Sequence, residues 1–379
     1  MTQYFITLCF LIFTVFTLNA QTVSTVLVKP NAQFEGITWL PDGRIYVVDF
    51  ATGEVFRITT TGVIERITRL NGALGGAADS ENNYYVSEFS TGNIIKIDPA
   101  ENISVYARGL VGPAGILIDD AAEVMYVANY SGSSISSIDM QMENPTPTTL
   151  ASGGRINGPD GLAFAPNGDL ISCNFDDNNI QRITRAGVVS PFATLADSPN
   201  SGYIVRVGDR YIVTGAFDPN IYSISLTGAV RAFRDTSLAG YADGDIQTAQ
   251  FRFPNGITAS PNGDTLLVTE STTAGQIRMI TNLNGTSSTD ILQSVQSLRI
   301  HPNPASEQVR IQLHLPERSD LQIQLLDLQS NVVDTFVMET TWQGDFEGTF
   351  NLPTQLSASI YFVQIRAGKE LLHYTLLVK

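Results

Sequence analysis

The chain predicts an all-β protein, a six-bladed β-propeller followed by a small β-sandwich. Three observations carry this. A unit of Gly, a short apolar stretch and a turn recurs six times at intervals near 40 residues, which is the signature of a repeat architecture. The runs between the turns are short and apolar or alternating, as buried strands are. From residue 299 onward the pattern changes to a few longer alternating strands.

Composition sets the limits first. Of 379 residues, 43% are hydrophobic and 16% charged, which supports a packed core and excludes a disordered chain. Lys and Arg number 22 against 37 Asp and Glu, a formal net charge of −15. Such a surface repels phosphate, so nucleic acid and anionic membrane surfaces are excluded as partners, while cations are tolerated.

The first element, residues 1–20, reads as a signal peptide. Phe5 to Leu18 is a mostly apolar run of 14 residues, short for a membrane span and right for a signal core. Ala20 offers the cleavage site, although no Lys or Arg precedes the run. Cys9 leaves with it. Cys173 is then alone, and no intrachain disulfide forms.

The propeller spans 21–285. Its repeats place key glycines at Gly36, Gly76, Gly115, Gly161, Gly202 and Gly256, with spacings of 40, 39, 46, 41 and 54 residues. The segments Glu35–Phe50 and Asp160–Phe175 align without a gap. Pro41-Asp42-Gly43, Pro166-Asn167-Gly168 and Pro261-Asn262-Gly263 are hairpin turns, where Pro fixes φ and Gly accepts a positive φ. Third strands follow, among them Val55–Ile58, Ile94–Ile97 and Ile180–Ile183. One four-stranded blade per repeat closes into a ring. The strand-like segment Thr22–Val28 precedes blade 1 and is placed to supply the outer strand of the last blade.

A polar linker covers 286–298, and the second module 299–379. Val309–Leu313, Leu321–Asp327 and Ile360–Ile365 alternate as sandwich strands do, and Leu371–Leu377 closes the module.

Two resemblances enter here. Residues 22–290 or so resemble the NHL-repeat and gluconolactonase/senescence-marker-protein propellers, with Gly240–Gly244 and Ala249–Ile257 looking most like an NHL repeat. The second module resembles the C-terminal sorting domain of the type IX secretion system. That resemblance is carried by Pro302-Asn303-Pro304, Leu325–Asp327, Tyr361, Gly368 and Lys379, with His301 in place of the usual aromatic. It implies recognition by the type IX machinery and passage through the outer membrane to the cell surface or the medium.

The missing histidines narrow the chemistry. All three, His301, His314 and His373, lie in the second module. A Ser-His-Asp triad and a His-rich zinc site are therefore excluded from the propeller. By resemblance, so are the histidine-dependent propeller lyases and lactonases. Oxygen-ligand chemistry remains. The start of each inner strand lines the channel mouth, which gives Glu35, Leu74 or Gly75, Ala114, Asp160, Gly202 and Asn255. Two carboxylates and an amide suit calcium or another divalent cation.

The gluconolactonase resemblance implies the same set. Its metal is held by an early Glu, an Asn before Gly and an Asp before Gly, matched by Glu35, Asn255 and Asp160. The order departs from the family, because here the Asn motif follows the Asp motif. The family's substrate-contacting Asn and Arg have no clear counterparts.

Two functions stay open at this point. One is a calcium-dependent lactone or ester hydrolase acting on a small molecule at the channel mouth. The other is a non-catalytic NHL-type propeller that holds a glycan or protein on loops such as 235–250 and an aromatic patch around Tyr130, Phe175 and Phe217. An Asp or Asn before Gly also makes an Asx turn with no ligand at all. A second ring, Asp49, Glu88, Asn129, Asn174, Ala216 and Glu270, ends the second strands and is expected to cap their hairpins.

Overall fold

A computed structural model describes residues 21–196, 198–233, 239–283, 297–301, 305–327, 332–354, 356, 359–367 and 370–378. The expected signal segment 1–20, most of the expected linker, residues 234–238, and Pro302-Asn303-Pro304, Gly368 and Lys379 lie outside the described residues. The chain forms two compact units, one over Gln21–Asn284 and one within Gly285–Lys379.

The first unit is a ring of six antiparallel sheets. Blade 1 shows the plan. Phe34–Trp39 is innermost and pairs with Ile45–Asp49, then Glu54–Ile58, then Ile64–Arg69 outermost. Burial falls outward from the second strand. The second strand is buried throughout, and the outermost alternates between half-buried and exposed. Gly43, Gly168 and Gly263 take φ of 92°, 85° and 68° in the three Pro-led turns, where a Cβ would be strained.

Blade 6 closes the ring. Its inner strands are Pro254–Ala259, Leu266–Glu270 and Gln276–Thr281, and its fourth is Thr22–Val28. The ladder runs antiparallel from Thr22 opposite Thr281 to Val28 opposite Gln276.

The core lies between blades. Six buried clusters occupy the six blade interfaces. The cluster of Phe34, Ile45 and Val47 with Leu267 and Ile277 joins blade 1 to blade 6. Each aliphatic side chain so buried contributes roughly 1.5–3 kcal/mol.

The inner strands carry a bulge that sets the channel. In blades 1, 2, 3, 4 and 6 the register slips at a residue pair, Glu35-Gly36, Leu74-Gly75, Ala114-Gly115, Asp160-Gly161 and Asn255-Gly256. This corrects the sequence assignment in blade 2. Gly76 pairs with Val86 as Ile37 pairs with Val47, so Gly75 matches Gly36.

Blade 5 differs too. Thr214 Oγ1 accepts from Tyr203 N at 3.0 Å, as Ser87 Oγ accepts from Gly75 N at 2.9 Å and Thr269 Oγ1 from Gly256 N at 2.8 Å. Tyr203 thus stands where the other blades have glycine, and Gly202 takes the residue before it.

The second unit is one five-stranded ladder. Gln308–Leu326 pairs with Val332–Asn351 along its length, with Ser297–His301 at its start and with Ser359–Ala367 at its end. Two strands of the sequence reading are therefore one, broken in register between Leu315 and Ser319. Both halves feed one core of Val309, Ile311, Leu313, Leu321, Ile323 and Leu325.

Candidate functional site

The bulges put Glu35, Asp160 and Asn255 on equivalent turns of blades 1, 4 and 6 at one mouth of the channel. The bulges also require glycine behind them. A Cβ on Gly36 would lie 2.6 Å from Leu74 O, and one on Gly161 2.6 Å from Tyr203 Cα. On Gly115 and Gly256 it would press into the carbonyls of Asp160 and Glu35. Blade therefore meets blade backbone to backbone around the axis.

Glu35 and Asn255 touch, and Asp160 acts on Glu35 through its charge. Ser271 Oγ donates to Glu35 Oε1 at 2.6 Å, and Asn255 Nδ2 donates to Glu35 Oε2. Thr269 Oγ1 donates to Glu35 O at 2.7 Å, fixing the bulge from which the carboxyl projects. Asp160 and Asn255 are buried, and Glu35 keeps part of its surface open. Burial raises Glu35 to about 8, against the pull of the Ser271 hydroxyl; the charge of Asp160 adds to the rise. Burial likewise raises Asp160 to about 7, with the neighbouring Tyr203 hydroxyl acting the other way.

Tyr203 was invisible as a site residue in sequence. Its hydroxyl would be 2.9 Å from a Cβ on Gly75, in the blade diametrically opposite. The ring therefore crosses the channel. Asp160 Oδ1, Asn255 Oδ1 and Tyr203 Oη are buried and complete no hydrogen bond of good geometry. The Tyr203 hydroxyl and the Asp160 carboxyl nonetheless face each other as a hydrogen-bonding pair, so Asn255 Oδ1 is the candidate oxygen left without a partner.

Among the described residues, no three of His, Cys, Asp and Glu come together. The trio is two carboxyls and an amide, and the amide is its third donor. All three offer oxygen, Asn255 Oδ1 has no partner, and no basic side chain acts on Glu35 or Asp160. The donor chemistry therefore fits a hard divalent cation.

The second ring is structural. Asp49, Glu88, Asn174 and Glu270 accept from the backbone N–H of Gln33, Asn71, Asn157 and Arg252 at 3.1, 2.9, 3.2 and 3.0 Å. They tie down the loop leading into their own inner strand; Asp49 also caps its hairpin through Ala51 N. In blade 5 the place belongs to Gly215 rather than Ala216, since Thr214 pairs with Ile221 as Val48 pairs with Val55.

Four residues that directly follow this ring form a collar together with Phe217 and Phe253. Phe50, Phe89, Tyr130, Phe175, Phe217 and Phe253 contact one another in series, with ring centroids 6.3, 6.1, 5.9, 5.3 and 6.5 Å apart. Among the described residues no ring contact joins Phe253 back to Phe50. Ser271 stands there, where blades 1 to 4 carry an aromatic. The repeated pairs Asp49-Phe50, Glu88-Phe89, Asn129-Tyr130 and Asn174-Phe175 were the available signal. A cleft of about 550 Å³ adjoins the collar at Phe50, lined by Arg69, Asn71 and Ser90.

Residues 75–200 match the SMP-30/Gluconolactonase/LRE-like region. Of the three candidates, that segment contains Asp160 alone. Residues 299–379 match the secretion system C-terminal sorting domain. No curated protein sequence matches the chain.

Several solved structures share the fold. A catalytically inactive virginiamycin B lyase from Staphylococcus aureus with quinupristin is 14% identical at a TM-score of 0.53, covering 69% of this chain and 99% of its own. A gluconolactonase from Xanthomonas campestris is 12% identical at 0.55, covering 68% and 88%. An auxiliary nutrient binding protein from Bacteroides thetaiotaomicron is 14% identical at 0.57, covering 69% and 76%. Identities this low establish the architecture alone. The C-terminal match marks the chain for export to the cell surface or the medium and implies engagement of the type IX secretion machinery. In fold and over its matched segment, the exported chain is similar to the gluconolactonase-type propellers.

Proposed function

We propose that this exported propeller holds a divalent cation at its channel mouth and hydrolyses a lactone or ester there. The observation that carries the reading is that Glu35, Asp160 and Asn255 sit on equivalent inner-strand bulges, with Asn255 bonded to Glu35 and the charge of Asp160 felt there. Calcium suits the set, because it takes several oxygen ligands and leaves positions open to water or substrate. When bound, such an ion polarises a carbonyl and lowers the pKa of a coordinated water.

The chain's own residues do the rest. Ser271 and Asn255 fix the rotation of the Glu35 carboxyl. Tyr203 reaches across the channel and its hydroxyl bears on the Asp160 carboxyl. Cys173 lies buried nearby, and burial raises its thiol far above neutrality, so it is no nucleophile.

The test is a calcium titration by calorimetry on the exported chain beside Asp160→Ala. Saturable binding that the substitution abolishes supports the site and justifies a lactone and ester screen. Equal binding by both proteins, or none, rejects it. The collar favours a second reading, a non-catalytic NHL-type propeller that captures a ligand. That reading predicts capture unaffected by a chelator.

A further inference from the structure

The collar bears on what kind of molecule the mouth takes. Five of its six rings are Phe and offer neither donor nor acceptor. The one hydroxyl, Tyr130 Oη, already donates to Asp176 Oδ1 at 2.7 Å. Polar groups laid against these rings lose water and find nothing in exchange. Yet Phe50, Phe217 and Phe253 are 40%, 58% and 36% exposed. Clustered large apolar side chains at a surface mark a binding site more often than chance exposure does.

Backbone strain points the same way. Phe253 holds φ at 55°, and Ala216, beside Phe217, holds the same value. Non-glycine residues adopt this conformation at a cost, and such outliers gather at functional sites. Here both strained residues set collar rings in the two blades that lack an aromatic directly after the second strand. Blade 6 breaks the collar with Ser271, whose hydroxyl holds Glu35. The apolar wall is therefore continuous except beside Glu35.

We propose that the collar binds the apolar body of an aryl or alkyl carbonyl compound, an ester or lactone poor in hydroxyl groups, and that the gap at Ser271 admits its polar end toward Glu35 and Asn255. The inference rests on reading the mouth as a ligand site and adds the class of body it accepts. It sets polyhydroxylated sugar lactones aside.

The test uses a neutral naphthyl ketone, 6-propionyl-2-dimethylaminonaphthalene, which has no bond to hydrolyse and whose fluorescence reports an apolar site. The full chain is titrated beside Phe217→Ala and Phe175→Ala, with melting curves to establish folding. Phe217 is the more exposed ring, so its variant keeps the test valid if Phe175→Ala fails to fold. Saturable binding should weaken about tenfold on loss of either ring. Phenyl acetate should compete, and glucono-1,5-lactone should not. Absence of ketone binding, equal binding by folded Phe217→Ala, or equal competition by the sugar lactone overturns the inference. Calcium binding is measured on the same samples. Ketone binding without calcium binding rejects the cation reading alone; calcium binding without ketone binding rejects the collar alone.

Discussion

Glu35 and Asp160 titrate near neutrality, at about 8 and about 7, each raised first by burial. In the unfolded chain both carboxyls titrate near 4. A folded value above the unfolded one means that the neutral form is favoured in the native state. The stability it supplies is complete below pH 4 and is lost as pH rises through 7 and 8. Chelator-treated protein should therefore melt at a lower temperature at pH 9 than at pH 6, and Glu35→Gln should shrink the difference. Added calcium should restore the loss at pH 9, since a cation favours the ionised carboxylates. Its affinity should rise between pH 6 and pH 8.5, because ligands must shed protons to bind. Calorimetry across that range checks the sign, and a flat profile removes both carboxyls from the site.

At the scale of strands and loops, Arg278 is the most constrained charge. It is fully buried in the third strand of blade 6. It donates to Glu270 Oε1 at 3.2 Å, to Asp243 Oδ1 at 2.7 Å and to the carbonyls of Gln250 and Ala242. Asp243 in turn accepts from the N–H and hydroxyl of Thr25 in the closing strand. Arg278→Met leaves Glu270 buried and unpaired, and should cost about 3–5 kcal/mol at pH 8 by urea denaturation. The cost should be smaller at pH 5, where Glu270, raised by burial to about 7, is protonated. Gly161→Ala, driving a methyl into the Tyr203 backbone, should cost roughly 1–3 kcal/mol in the same assay.

The blades were legible in the sequence because Pro-x-Gly turns and Ile-rich strands repeat locally. The choice of Gly76 over Gly75 failed because a bulge shifts register by one residue, and adjacent glycines look alike in sequence. Tyr203 was missed because its role lies across the channel, against a blade about 130 residues earlier. Glu35, Asp160 and Asn255 could be assigned to equivalent positions from sequence because the turns that carry them repeat. The collar was half seen, as Tyr130, Phe175 and Phe217, since Phe253 reaches it from a different loop.

At the scale of the molecule, the two units separate folding from address. Deleting 299–379 should leave the propeller's melting transition in place and abolish appearance at the cell surface or in the medium, measured by fractionation and blotting. The ring itself has a seam. Thr22 pairs with Thr281, their hydroxyls 2.8 Å apart and 259 positions apart in the chain. Every other blade completes itself from neighbouring residues, so it can form as soon as its segment is free. The last blade must wait for both ends. Contacts this distant are slow to form, and until they do Gln276–Thr281 presents an unpaired edge that invites association with other chains. The slowest step in assembling this protein is thus predicted to be the docking of Thr22–Val28. A chain still emerging into a new compartment stays open, and hence pliable, until its final strand has arrived.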